Sequence, residues 1–115
     1  MLARLCAFLC VLTIFALIDH AVAASEPRVA LVMGNSEYGE AIGKLKNPAN
    51  DAKLMAETLK GLGFSVNLVL DADQKAMKRA VKSCGAKLRE AGSDATGFFY
   101  YAGHGVQVEG TNFLL

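Results

Sequence analysis

The chain has 115 residues, a length that holds one small domain. Its 12 basic side chains against 11 acidic ones leave a net charge of +1. That balance gives no electrostatic reason to expect nucleic acid or an anionic membrane as a partner. Of 3 cysteines, Cys6 and Cys10 lie in the first apolar stretch, so the remainder keeps Cys84 alone and has no internal disulfide.

The first segment reads as a targeting signal. Arg4 is a short positive start, residues 5–18 are apolar apart from Thr13, and Ala21-Val22-Ala23 fits a small-residue cleavage site. Residues 1–23 are therefore expected to be a signal peptide that exports the chain to the periplasm or the medium. An uncleaved anchor is the competing reading, though the run is short for a membrane span. Neither Cys6 nor Cys10 follows the small residue that a lipoprotein site needs. Residues 24–27, with Glu26-Pro27, read as a linker.

The domain is expected over residues 28–115. Arg28 to Asn35 is a continuous apolar run closed by Gly34-Asn35, the pattern of a strand covered on both faces. Residues 36–46 read as a loop. A helix follows, with Asn47 as cap, Pro48 at its first position, and Ala52, Met55, Ala56, Leu59 and Leu62 as its apolar face. Gly61 and Gly63 stop it, and Phe64 is placed to fold back over its last turn. Ser65 to Leu70 is the second strand. Asp71 or Asp73 caps a second helix whose stripe is Met77, Ala80, Val81, Cys84 and Leu88, with the lysines and arginines off that stripe and Gly92 at its end. Residues 95–101 form a third, buried strand. Val106-Gln107-Val108 and Asn112-Phe113-Leu114 then flank Glu109-Gly110-Thr111 as a small hairpin.

The order β-α-β-α-β plus hairpin implies an α/β fold with a parallel sheet and right-handed crossovers. The apolar end Phe113-Leu114-Leu115 and the open side of the third strand read as the front half of a larger domain, truncated at its C-terminal side.

His104 is the candidate functional residue. The apolar run Phe98-Phe99-Tyr100-Tyr101 ends in Ala102-Gly103-His104-Gly105. The two glycines are expected to let the backbone turn sharply and leave the imidazole uncovered. A histidine at the carboxyl end of a central strand lies where open α/β sheets build their sites. Histidine titrates near neutral pH, so it can take and return a proton within one cycle.

Three segments, in this order, resemble the caspase-like cysteine peptidases of clan CD, in particular the bacterial metacaspase-like members. They are Arg28 to Asn35 with Tyr38 following; Leu45-Lys46-Asn47-Pro48-Ala49-Asn50-Asp51-Ala52 leading to Leu62-Gly63-Phe64; and Phe98 to Gly105. The resemblance spans residues 28–115 and the front part of that family's large subunit. It implies a three-layer, mainly parallel caspase-like fold and a cysteine-type endopeptidase activity on peptides or proteins. It makes His104 the catalytic base and the backbone N–H of Gly105 an oxyanion donor. The family's nucleophile is a cysteine about 50 residues beyond the histidine. No cysteine follows His104, so the nucleophile is absent and the chain alone is expected to be inactive.

Cys84, on the apolar stripe of the second helix, reads as an inert small hydrophobe. Leu45 stands where aspartate-specific caspases carry an arginine, and the adjacent Lys44 and Lys46 do not match it, so aspartate specificity is not supported. Asp51 reads as holding the loop and helix start; Tyr38, Tyr100 and Tyr101 read as packing residues. Gly34 to Gly39 lacks the glycine spacing and lysine of a nucleotide loop. A lone histidine beyond the leader makes a zinc site improbable. No cofactor is expected; some family members depend on calcium, but the carboxylates show no calcium-loop spacing. The alternative function is a degenerate caspase-like module that binds protein, with a partner chain or the missing half completing the sheet.

Overall fold

The computed structural model describes residues 25–115, so the expected signal peptide lies outside the described residues. Ser25 to Pro27 are exposed and carry no regular structure.

Seven elements follow: β1 (Arg28–Gly34), α1 (Pro48–Gly61), β2 (Ser65–Leu70), α2 (Gln74–Ala91), β3 (Thr96–Ala102), β4 (Gly105–Val108) and β5 (Thr111–Leu114). The first three strands form a parallel sheet in the order β2-β1-β3. β4 and β5 form a separate antiparallel hairpin. Gly34 is level with Leu70 on one side and Ala102 on the other, so the three strands end together.

The helices lie on opposite faces of the sheet, giving three layers. Ala30 and Val32 of β1 pack with Ala52, Ala56 and Leu59 of α1. The alternate residues Leu31 and Met33 pack with Met77 and Ala80 of α2. Successive side chains on a strand point to opposite faces, so an uninterrupted apolar run is what a doubly covered strand needs. Full burial of Leu31, Val32 and Met33 contributes about 1.5–3 kcal/mol each.

α1 ends in a Schellman motif. Phe64 N–H donates to the Leu59 carbonyl at 3.0 Å and Gly63 N–H to that of Lys60 at 3.0 Å. Gly63 takes the left-handed conformation this requires, with φ +82. Phe64 folds back onto the α1-facing core as expected. Asp73 rather than Asp71 caps α2, accepting from Ala76 N–H at 2.6 Å. Glu109 and Gly110, both at positive φ, make the two-residue turn of the hairpin.

Four expectations need correction. Asn47 makes no side-chain cap; Ser36 Oγ takes the Ala49 N–H at 3.1 Å instead, reaching in from the loop after β1. Leu62 is exposed, because it lies past the last helical residue and turns away from the sheet. Val81 is exposed, because it borders an open groove with Phe99 of the edge strand β3, itself half exposed. β3 is not a buried central strand: β1 is central, β3 lies at the edge, and Phe99 is 52% exposed.

Candidate active site

The site assembles where the three parallel strands end. Asn35 follows β1 directly and is buried. Its N–H continues the ladder to the Ala102 carbonyl at 2.9 Å. Its side chain pairs with Ala72 as a strand would: Oδ1 accepts Ala72 N–H at 3.0 Å and Nδ2 donates to the Ala72 carbonyl at 3.1 Å. One amide thus ties the tip of β1 to β3 and to the connection between β2 and α2.

The loop after β1 is held from the tip of β2. Asp71 N–H donates to the Gly34 carbonyl at 2.9 Å. The Asp71 carboxylate accepts the N–H groups of Ser36 at 2.8 Å and Glu37 at 3.0 Å. These two donors stabilise the charged form and hold the Asp71 carboxyl below the usual carboxylate range. Lys44 forms an exposed ion pair with Glu37, which raises its pKa through the hydrogen bond and the charge. Leu45 N–H donates to the Ser36 carbonyl at 3.1 Å, closing the loop on itself.

That loop delivers Tyr38 to His104. His104 N–H donates to Tyr38 Oη at 2.7 Å. The Tyr38 ring meets the imidazole edge-on, with centroids 4.7 Å apart and planes at 61°. Tyr101, near the end of β3, donates from Oη to the His104 carbonyl at 2.9 Å. The two hydroxyls lie 3.3 Å apart, and the Leu115 carbonyl is within reach of both. Burial, then the hydrogen bond with Tyr38, push the Tyr101 phenol well above the ordinary tyrosine range.

His104 itself is half-buried, one residue past Gly103 and two past the end of β3. The glycines beside it act differently from the expectation. Neither Gly103 nor Gly105 has a positive φ. A Cβ on Gly103 would lie 2.4 Å from Tyr38 Oη and 2.5 Å from Tyr101 Oη, so this position is reserved by the close approach of two hydroxyls.

Gly105 opens β4 opposite Leu114. Leu115 N–H donates to the His104 carbonyl at 3.0 Å, which makes His104/Leu115 the hydrogen-bonded pair. By antiparallel alternation, Gly105 and Leu114 are then a non-hydrogen-bonded pair, and the Gly105 N–H is directed away from β5. A free backbone donor therefore stands beside the imidazole residue.

Cys84 does not join this group. It is half-buried in the α2-facing core and lines a cavity of about 340 Å³ with Leu31, Val81, Leu88 and Phe99. Asp51 lies in the first turn of α1, where a carboxylate suits the helix dipole. Among the described residues no group of three or more His, Cys, Asp and Glu side chains is placed to hold a metal ion. Tyr38 and Tyr101 do more than pack, since both hydroxyls bond the main chain of His104. Tyr100, by contrast, packs against the α1-facing core as expected.

The pattern of the Caspase domain family, peptidase C14, matches residues 27–114. The chain is also 34% identical over 91 residues to the human mucosa-associated lymphoid tissue lymphoma translocation protein 1, a stretch covering 79% of this chain and 11% of that protein. The mouse homologue matches at 34% over 91 residues, covering 79% of this chain and 10% of its own length. The chain thus spans about a tenth of these relatives. Both are mammalian proteins and carry no metacaspase name, so the closer placement among bacterial metacaspase-like members gains nothing from them. With its helix–sheet–helix layers and a family match across nearly all of the described residues, the chain belongs to the caspase domain family, peptidase C14.

Proposed function

We propose that the domain works in cysteine-type peptide-bond hydrolysis, with His104 as the base and the Gly105 N–H as an oxyanion donor. The observation that carries this reading is the placement of His104 at the level ends of the parallel strands, with a backbone N–H beside it that the hairpin leaves unused. In the reaction, His104 takes the proton of a thiol, the thiolate attacks the peptide carbonyl, and the tetrahedral oxygen receives the Gly105 N–H. His104 then protonates the departing amine. Water, deprotonated by the same imidazole, releases the acyl group from sulfur.

The thiol must come from an element outside residues 25–115, either further coding sequence or a partner chain. Its place on the α2-facing side of the sheet, away from His104, supports reading Cys84 as an inert small hydrophobe. The 115-residue chain alone is therefore inactive in this reading. The substrate class is peptides or proteins.

The test uses the 115-residue chain and the product of the complete coding sequence read past codon 115. Peptides ending in Arg, Lys or Asp before a fluorogenic leaving group serve as substrates. The reading requires no turnover by the short chain, and turnover by the longer product that His104→Ala abolishes. Turnover by the short chain that His104→Ala removes would refute its inactivity. Export fits the same scheme: secreted material should begin just after Ala23 by mass spectrometry.

A second reading rests on a specific feature. β3 has no partner on its outer edge among the described residues, and Phe98 and Phe99 are exposed beside it. A caspase-like module without catalysis could add a protein segment there. A genuine stop after codon 115 together with stable capture of a partner favours this binding role. A monomeric, stable short chain by ultracentrifugation speaks against it.

A further inference from the structure

We infer that Tyr38 is a positioning residue for His104, with Tyr101 as the second jaw of one clamp on its main chain. The inference rests on the reading of His104 as the base.

Counting protons gives the circuit its direction. Tyr38 Oη accepts the His104 N–H at 2.7 Å and has one proton of its own to give. Tyr101 Oη, 3.3 Å away, accepts it. Tyr101 in turn has one proton, which goes chiefly to the Leu115 carbonyl at 2.5 Å, with the His104 carbonyl at 2.9 Å as the second acceptor. The chain of hydrogen bonds leaves from the amide of His104, passes through the two hydroxyls and ends between the Leu115 and His104 carbonyls, so each bond polarises the next.

The clamp is itself supported. Tyr38 stands on the loop fixed by the Asp71 carboxylate through Ser36 and Glu37. Tyr101 stands on β3, paired with Met33 of the buried strand β1. Gly103 leaves the hydroxyls room to approach and would block them with any side chain. Only main-chain atoms of His104 enter the circuit, so both ring nitrogens remain outside it. The Tyr38 ring edge fixes the imidazole from one side. A base must be held within about 0.5 Å of its working position, and a histidine between two glycines has little local stiffness of its own.

The test takes two readouts. In the product of the complete coding sequence, Tyr38→Phe keeps the ring and removes the hydroxyl. It should lower kcat about tenfold and leave KM unchanged, because positioning acts on the chemical step. In the 115-residue chain, the same change should speed hydrogen exchange of the His104 amide about tenfold, with the β1 amides unaltered. Tyr101→Phe, which spares the His104 N–H bond, should shift kcat in the same direction and serves if Tyr38→Phe fails to fold. Unchanged kcat in folded Tyr38→Phe, with His104→Ala inactive, overturns the inference. So does unchanged exchange at the His104 amide. If His104→Ala matches wild type, the peptidase reading fails, and the exchange result alone then decides whether the clamp exists.

Discussion

β1 and β3 are paired residue for residue, from Arg28 against Thr96 to Gly34 against Ala102, and both are strongly apolar. Yet every residue of β1 from Val29 to Gly34 is buried, while no residue of β3 is. The difference comes from neighbours. β1 has a strand on each side and a helix over each face. Among the described residues β3 has one strand, and α2 meets it at few points, such as Leu88 over Gly97, leaving Phe99 half exposed. Stability therefore resides in the central strand, while the proposed base stands at the end of the edge strand. The fold anchors the second to the first through the level strand tips, Asn35 and the Asp71 loop.

Large-to-small changes should split the two strands most sharply. Leu31→Ala, fully buried between β1 and α2, should destabilise by about 2–5 kcal/mol. Phe99→Ala, about half exposed, should lose only about 1 kcal/mol despite the larger side chain. Urea denaturation of both variants measures the gap; equal losses would mean that β3 is covered in solution.

Gly34 and Gly103 make a second contrast at the two strand tips. A methyl on Gly34 would meet the Pro48 carbonyl at 2.5 Å and Ala52 Cβ at 2.6 Å. Backbone cannot yield easily, so Gly34→Ala should cost about 1–3 kcal/mol. Gly103→Ala pushes only on tyrosine hydroxyls, so it should spare the urea midpoint more while displacing the imidazole. Histidine proton shifts in NMR spectra report that displacement.

How far these features are legible in the sequence follows the same division. β1 and both helices are, because an unbroken apolar run and a helical stripe record burial directly. The edge position of β3 is not, because its composition equals that of a covered strand. The cap of α1 is missed because Ser36 supplies it from 13 residues away, past the obvious Asn47. The roles of Tyr38 and Tyr101 are hidden because they depend on a loop meeting a strand end 63 residues later. Gly103 beside the histidine was the available signal, although it marks a close approach rather than an unusual backbone angle.

Smaller effects lie in the caps and in titration. Asp73→Ala removes the α2 cap and should cost about 1 kcal/mol in the urea midpoint, independently of β3. Tyr101 has a folded pKa above its unfolded value, so its neutral form is the one the fold stabilises. Its contribution is full below about pH 10 and declines as pH rises above that point. The stability advantage of wild type over Tyr101→Phe should therefore shrink as the pH rises above about 10. An advantage independent of pH would mean that the Tyr101 hydroxyl is not buried in solution.

The central claim is that the imidazole at the end of β3 serves as the base. Its most direct test is peptide hydrolysis by the product of the complete coding sequence, compared with the folded His104→Ala variant. The account requires hydrolysis that falls by at least about a hundredfold in the variant. Equal hydrolysis by both proteins would contradict it.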